Sequence, residues 1–122
     1  MGKLCGIAFA SVTCLFALSG NADEIEIENV QASQRGDNWT FAVRLRHADT
    51  GWKHYADGWD VRTIAGDVLG FRELLHPHET EQPFTRALSG VVIPKGVETV
   101  IIRAHCSVDG WVGDPFELAL ER

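Results

Sequence analysis

Apolar and polar residues alternate along most of the chain after residue 23, and this alternation restricts the possible folds more than any other feature. The clearest case is Trp39, Phe41, Val43 and Leu45, which alternate with threonine, alanine and arginine. A period of two places successive side chains on opposite faces of a strand, whereas an amphipathic helix needs a period near 3.6. No stretch shows a convincing helical period. The chain is therefore predicted to be all-β.

Seven strands are predicted, separated by glycine and proline turns such as residues 65–67 and 94–96. Seven short strands in one domain are typical of an antiparallel β-sandwich of the immunoglobulin or fibronectin III kind. Their apolar positions are Ile25 and Ile27; Trp39 to Leu45; Tyr55, Trp59, Val61 and Ile64; residues 68–75; residues 84–91; residues 97–106; and Phe116, Leu118 and Leu120.

The first 22 residues have the pattern of a secretory signal peptide. Lys3 precedes an apolar run over residues 4–18, and Gly20 and Ala22 place small residues where a signal peptidase reads them. This predicts a signal peptide at 1–22, a sandwich domain at 23–122 and a periplasmic or secreted protein. The run is too short to span a membrane, and no span is expected in the mature chain. Cleavage leaves Cys106 as the single cysteine, so no internal disulfide is expected.

Two segments resemble known groups. Residues 88–104 (LSGVVIPKGVETVIIRA) resemble the E–F region of fibronectin type III domains, in which a leucine, a Pro-x-Gly turn and a strand ending in Arg-Ala recur. This resemblance implies the sandwich and no particular function. Residues 76–90 (HPHETEQPFTRALSG) and 52–59 (WKHYADGW) resemble two blocks of a group of small exported bacterial proteins. That resemblance implies a periplasmic setting and transfers no catalytic residue.

The charge and the missing motifs exclude several functions. A formal net charge of −6 argues against a nucleic-acid binder, which needs clustered lysine and arginine. The sequence has no G-x-S-x-G, C-x-x-C or H-E-x-x-H motif and no glycine-rich phosphate loop. Catalysis is therefore the least favoured function, because no nucleophile–base arrangement is recognisable.

All five histidines are predicted to lie at one end of the sandwich. Each connection reverses an antiparallel chain, so every second connection returns to the same end. His47 and His54 lie in the connection from the second to the third predicted strand, and His76 and His78 lie in that from the fourth to the fifth. His105 ends the sixth strand.

Several imidazoles and the Cys106 thiol at the same end of the sandwich predict a transition-metal site, because imidazole and thiolate are ligands that suit zinc and copper. The predicted ligands are His76, His78 and either His54 or His105, with Cu or Zn as the ion. Strand parity points Cys106 inward and its neighbour His105 outward, so only one of the two can face a given site. Further candidates for ligands or surface residues are His47, Asp57, Glu79 and Cys106.

Two other interpretations stay open. The histidines are solvated surface residues and Cys106 a small core residue, or the domain is a metal-free interaction module that binds an envelope protein partner. The module would use a surface of aromatic side chains, which serve as interface anchors when exposed. Inward-facing tryptophans and converging imidazoles would instead favour the metal. The aromatic residues are Trp52, Tyr55, Trp59 and Trp111.

Overall fold

The computed structural model describes residues 24–122, and all the regular secondary structure in that range is β-strand. The all-β prediction is confirmed. The predicted signal peptide, residues 1–22, lies outside the described residues. None of the described residues forms a helix long and apolar enough to cross a membrane. The strands are β1 (Glu26–Arg35), β2 (Asn38–Arg46), β3 (Ala56–Thr63), β4 (Val68–Glu73), β5 (Phe84–Val92), β6 (Thr99–Cys106) and β7 (Gly110–Ala119).

The seven strands form two antiparallel sheets that pack against each other. One sheet has the order β1-β2-β5 and the other the order β4-β3-β6-β7. The chain passes from one sheet to the other in the β2–β3, β4–β5 and β5–β6 connections, whereas the other connections are hairpins within a sheet. The predicted seven-stranded antiparallel sandwich is confirmed. The resemblance of residues 88–104 to fibronectin type III domains stays a prediction.

The core follows the period-two pattern. In β2, Trp39, Phe41, Val43 and Leu45 are all buried, and the residues between them are partly or fully exposed. Trp59 on the facing sheet is fully buried as well. Burying one such large side chain contributes about 1.5–3 kcal/mol relative to leaving it in water. Because the one cysteine among residues 24–122 is free, this two-sided core is the main source of stability in the described part of the chain.

The last strand begins much earlier than the sequence predicts. β7 starts at Gly110, although the predicted apolar positions start only at Phe116. Residues 110–115 contain two glycines and a proline, which are typical of a turn. Pro115 is tolerated because β7 is an edge strand, where a missing N–H costs no ladder hydrogen bond. Trp111 therefore belongs to a strand and not to a loop.

We expect Gly113→Ala to destabilise the protein more than Gly36→Ala does. Both glycines have positive φ, 82° at Gly113 and 62° at Gly36, so alanine strains either position by about 1 kcal/mol. A Cβ at Gly113 would also collide with the carbonyl oxygen of Ile25, whereas a Cβ at Gly36 would meet open space. Overpacking of this kind costs about 1–3 kcal/mol more. Urea denaturation of the two variants measures the difference, and equal losses would contradict the prediction.

Candidate metal centre

Three connections meet at one end of the sandwich, as chain reversal predicts. We call the β2–β3, β4–β5 and β6–β7 connections together the histidine pole. Tyr55 donates its N–H to Ser107 Oγ (3.0 Å) and accepts the Ser107 N–H (2.9 Å), which joins the first connection to the third. His78 donates its N–H to Asp49 Oδ2 at 2.8 Å, which joins the first to the second.

Three metal-binding side chains converge within this pole. A ring nitrogen of His47, a ring nitrogen of His54 and Cys106 Sγ all lie within 4.8 Å of one another. His47 directly follows β2, Cys106 ends β6, and His54 is fixed by a bridge to Gly51 within the first connection. His47 and Cys106 are buried and His54 is half-buried. We call these three residues the three-donor cluster.

Two nitrogens of the three-donor cluster have no hydrogen-bond partner. Nε2 of His47 and Nε2 of His54 are both buried, and neither contacts a donor or acceptor at hydrogen-bond distance. Burying a polar atom without a partner costs about 1–3 kcal/mol, so native structures rarely keep such atoms unpaired. A metal ion between these nitrogens and the thiol would provide the missing interaction.

The buried carboxylate of Asp49 orients His47. Asp49 Oδ1 lies 2.6 Å from His47 Nδ1, and both side chains are fully buried. Because a carboxylate only accepts, Nδ1 carries a proton, and in the neutral ring Nε2 then has a free lone pair. Carboxylates hold metal-binding histidines in this way in many proteins. Asp49 also accepts the Ala56 N–H at 3.0 Å, which fixes the start of β3.

The β6–β7 turn adds groups around the thiol. The Val108 N–H donates a hydrogen bond to Cys106 Sγ at 3.5 Å. Asp109 Oδ2 accepts a hydrogen bond from the Cys106 thiol, with 3.8 Å between sulfur and oxygen, and lies 3.6 Å from His54 Nε2. The turn therefore brings a carboxylate to the edge of the three-donor cluster.

His76 and His78 form a separate pair outside the three-donor cluster. Their ring centroids are 4.5 Å apart, and His78 stacks on Phe84 at 3.8 Å. Arg86 Nη2 lies 3.0 Å from His78 Nε2. A guanidinium only donates, so Nε2 accepts and its lone pair is already used. A metal ion at His78 Nε2 would have to displace the Arg86 guanidinium. His76 and His78 alone therefore form a poor metal centre.

The environment of His78 gives the protein a pH-dependent stability. Burial lowers the pKa of His78 below its ordinary 6.5, and the charge of Arg86 lowers it further. Folded His78 therefore stays neutral where the unfolded chain already binds a proton. We expect the free energy of unfolding to fall as pH drops below 6.5, by at most about 1.4 kcal/mol per pH unit. Urea denaturation of the wild type and of His78→Gln checks this, and equal slopes in both would contradict it.

His105 lies on the opposite face of β6 from Cys106, as strand parity predicts. Its Nδ1 is 2.6 Å from Asp57 Oδ1, and its ring packs against Trp111 with centroids 4.8 Å apart. His105 is half-buried and Cys106 fully buried. His105 and Asp57 therefore pair with each other outside the three-donor cluster.

The remaining predicted residues lie at the surface or in the core. Glu79 is exposed. Trp52 is 66% exposed and packs edge-on against Tyr55 at 5.7 Å, whereas Trp111 is 42% exposed. Trp59 is buried and cannot serve as a surface anchor. Of the four predicted aromatic residues, two are therefore exposed, Tyr55 is half-buried and Trp59 is buried.

No protein-family model matches the chain. A protein of Halomicrobium mukohataei named "Putative lipoprotein" is 48% identical over 73 residues, which cover 60% of this chain and 35% of that protein. The chain thus spans about a third of the length of that relative.

A solved structure is similar to the whole sandwich. The crystal structure of a hypothetical protein from Pyrococcus horikoshii OT3 matches with a TM-score of 0.55 at 15% identity. The match covers 84% of this chain and 95% of the archaeal one. At this identity the likeness shows the fold alone.

Proposed function

We propose that this protein is an exported or envelope protein that binds a transition metal ion, Cu or Zn, through His47, His54 and Cys106. The observation that carries the proposal is the convergence of a buried thiol with two imidazole rings, each of which has a buried Nε2 without a hydrogen-bond partner. The setting is supported by the predicted signal peptide and by the name of the lipoprotein relative.

The donor set suits these ions chemically. Two imidazoles and a thiolate are borderline-soft to soft ligands, which favour zinc and copper over magnesium or calcium. In a tetrahedral zinc site with bonds of 2.0–2.3 Å, ligand atoms lie about 3.3–3.8 Å apart. The three-donor cluster lies within 4.8 Å, so a contraction of about 1 Å would close it around an ion.

The ligands differ in part from those that the sequence predicts. His54 belongs to both sets, whereas His47 and Cys106 replace His76 and His78. We prefer this set because Arg86 donates to His78 Nε2, so that the neutral His78 ring carries its proton on Nδ1 and has no free lone pair. The ligand roles of His76, His78 and His105 stay predictions, and the binding experiment below tests that of His76.

Calorimetric titration of the purified, reduced protein with Zn²⁺ and with Cu⁺ tests the proposal. We expect one equivalent to bind more tightly than about 10 μM, which corresponds to roughly 7 kcal/mol. His47→Ala, His54→Ala and Cys106→Ser should each weaken binding at least about tenfold, since ligand loss costs no less than loss of its supporting residue. His76→Ala is the matched control because His76 is exposed and lies outside the three-donor cluster.

Two results would overturn this assignment. The first is a wild-type protein that binds neither ion. The second is normal binding by His47→Ala and Cys106→Ser together with loss of binding in His76→Ala, which would support the sequence-based ligand set instead.

A second candidate function is a metal-free interaction module. The exposure of Trp52 at the histidine pole favours it, because exposed tryptophans often anchor protein interfaces. A photo-reactive amino acid at position 52 should then capture an envelope protein in intact cells. The same group at position 67, in the β3–β4 turn, is the control and should capture nothing.

A further inference from the structure

We infer that Asp109 is the fourth ligand of the proposed metal centre, and that it makes the centre selective for a divalent ion of the zinc type over Cu⁺. This inference rests on the proposed function. Asp109 belongs neither to the ligands predicted from the sequence nor to the three-donor cluster.

Asp109 lies close to two of the three donors. Asp109 Oδ2 lies 3.6 Å from His54 Nε2 and 3.8 Å from Cys106 Sγ. In a tetrahedral zinc site, oxygen and nitrogen ligands lie about 3.4 Å apart and oxygen and sulfur ligands about 3.6 Å apart. One carboxylate oxygen therefore already has nearly the spacing of a fourth ligand toward two of the three donors.

Other carboxylates at the histidine pole are engaged elsewhere. Asp49 is held by His47 Nδ1 and by two backbone N–H groups. Asp57 is paired with His105 on the outer face of β6. Among these, Asp109 is the carboxylate that contacts both the Cys106 thiol and His54 Nε2.

The summed charge of the four ligands favours a divalent ion. His47 and His54 bind as neutral ligands, whereas Cys106 as thiolate and Asp109 as carboxylate each bring one negative charge. A divalent ion would make this buried centre neutral. Cu⁺ would leave one negative charge uncompensated, which is costly in a low-dielectric site. Cu⁺ is also satisfied by the soft thiolate and imidazoles, so it gains less from a carboxylate.

The exposure of Asp109 and His54 indicates the side from which an ion would enter. The side chain of Asp109 is 39% exposed and that of His54 22%, whereas Cys106 is fully buried. Asp109 lies in the short turn between β6 and β7, so its side chain can reach solvent and return without moving a strand. The fourth position is therefore the side from which the ion enters the centre.

Asp109→Asn tests the inference, with Asp67→Asn as the matched control because Asp67 is an exposed aspartate in the β3–β4 turn. Affinities for Zn²⁺ and Cu⁺ are measured on the reduced protein by competition with a colorimetric chelator. We expect Asp109→Asn to weaken Zn²⁺ binding about tenfold or more and Cu⁺ binding less than about threefold. We expect Asp67→Asn to change neither affinity.

Visible spectra of the Co²⁺-loaded proteins give a second readout. Loss of a carboxylate ligand should shift the d–d bands of cobalt in Asp109→Asn and leave those of Asp67→Asn unchanged. The inference is overturned if Asp109→Asn binds Zn²⁺ and Co²⁺ like the wild type, or if it weakens Zn²⁺ and Cu⁺ equally. In either case the wild type still binds metal through His47 and Cys106, so the proposed function stands. A wild type that binds no ion overturns both.

Discussion

Asp49→Ala is expected to lower the free energy of unfolding by about 3–5 kcal/mol, the range measured for breaking buried, hydrogen-bonded charges. The carboxylate accepts hydrogen bonds from His47 Nδ1, the Ala56 N–H and the His78 N–H, at 2.6–3.0 Å. Removing the carboxylate leaves three buried donors without hydrogen-bond partners, and each unpaired donor costs about 1–3 kcal/mol. The loss should appear in urea denaturation as a lower midpoint.

Asp114→Asn is the control for this prediction, because Asp114 is exposed and such surface changes usually stay within about 0.5 kcal/mol. A loss for Asp49→Ala no larger than that for Asp114→Asn would show that Asp49 does not hold the connections together. Metal-free conditions are needed, since a bound ion would mask part of the loss.

Saturating Zn²⁺ is expected to stabilise the wild type, and Cys106→Ser is expected to lose at least about half of this gain. An ion that binds only the folded state raises the free energy of unfolding by about 2.7 kcal/mol at a hundredfold excess over its Kd. Serine is nearly isosteric with cysteine but its hydroxyl is a far poorer ligand for a soft ion. Because Cys106 is buried in the core, the metal-free variant is expected to fold with somewhat lower stability.

Thermal unfolding of the wild type, Cys106→Ser and His76→Ala, each with and without Zn²⁺, measures this effect. His76→Ala should keep the full gain, since His76 is exposed and lies outside the three-donor cluster. An equal zinc-dependent gain in wild type and Cys106→Ser would contradict the role given to the thiol.

The sandwich was predictable because its core uses a period of two with few interruptions. Trp39 to Leu45 predicted the buried face of β2 correctly, and the parity of β6 placed Cys106 inward and His105 outward. The start of β7 was not predictable in the same way. Gly110, Gly113 and Pro115 are turn-forming residues, and only the edge position of β7 lets them lie in a strand.

The gathering of histidines at one end was also predictable, whereas the pairing of individual side chains was not. His47 continues the inward series of Val43 and Leu45, and this parity could have indicated that His47 and Cys106 both point into the sandwich. The pairing of Arg86 with His78, by contrast, depends on how a long side chain folds back over the β4–β5 connection. Local sequence patterns carry no information about such a contact.

His47 and Cys106 belong to different layers of the sandwich, since one follows β2 and the other ends β6. An ion held between them would act as a reversible cross-link between the layers, in a chain whose single described cysteine is free. Because the ion binds only the folded state, this link stabilises the fold by mass action and does not restrict the unfolded chain. Chelation of the proposed ion should therefore shorten the lifetime of the folded state, and the supply of metal would set how long the folded protein survives.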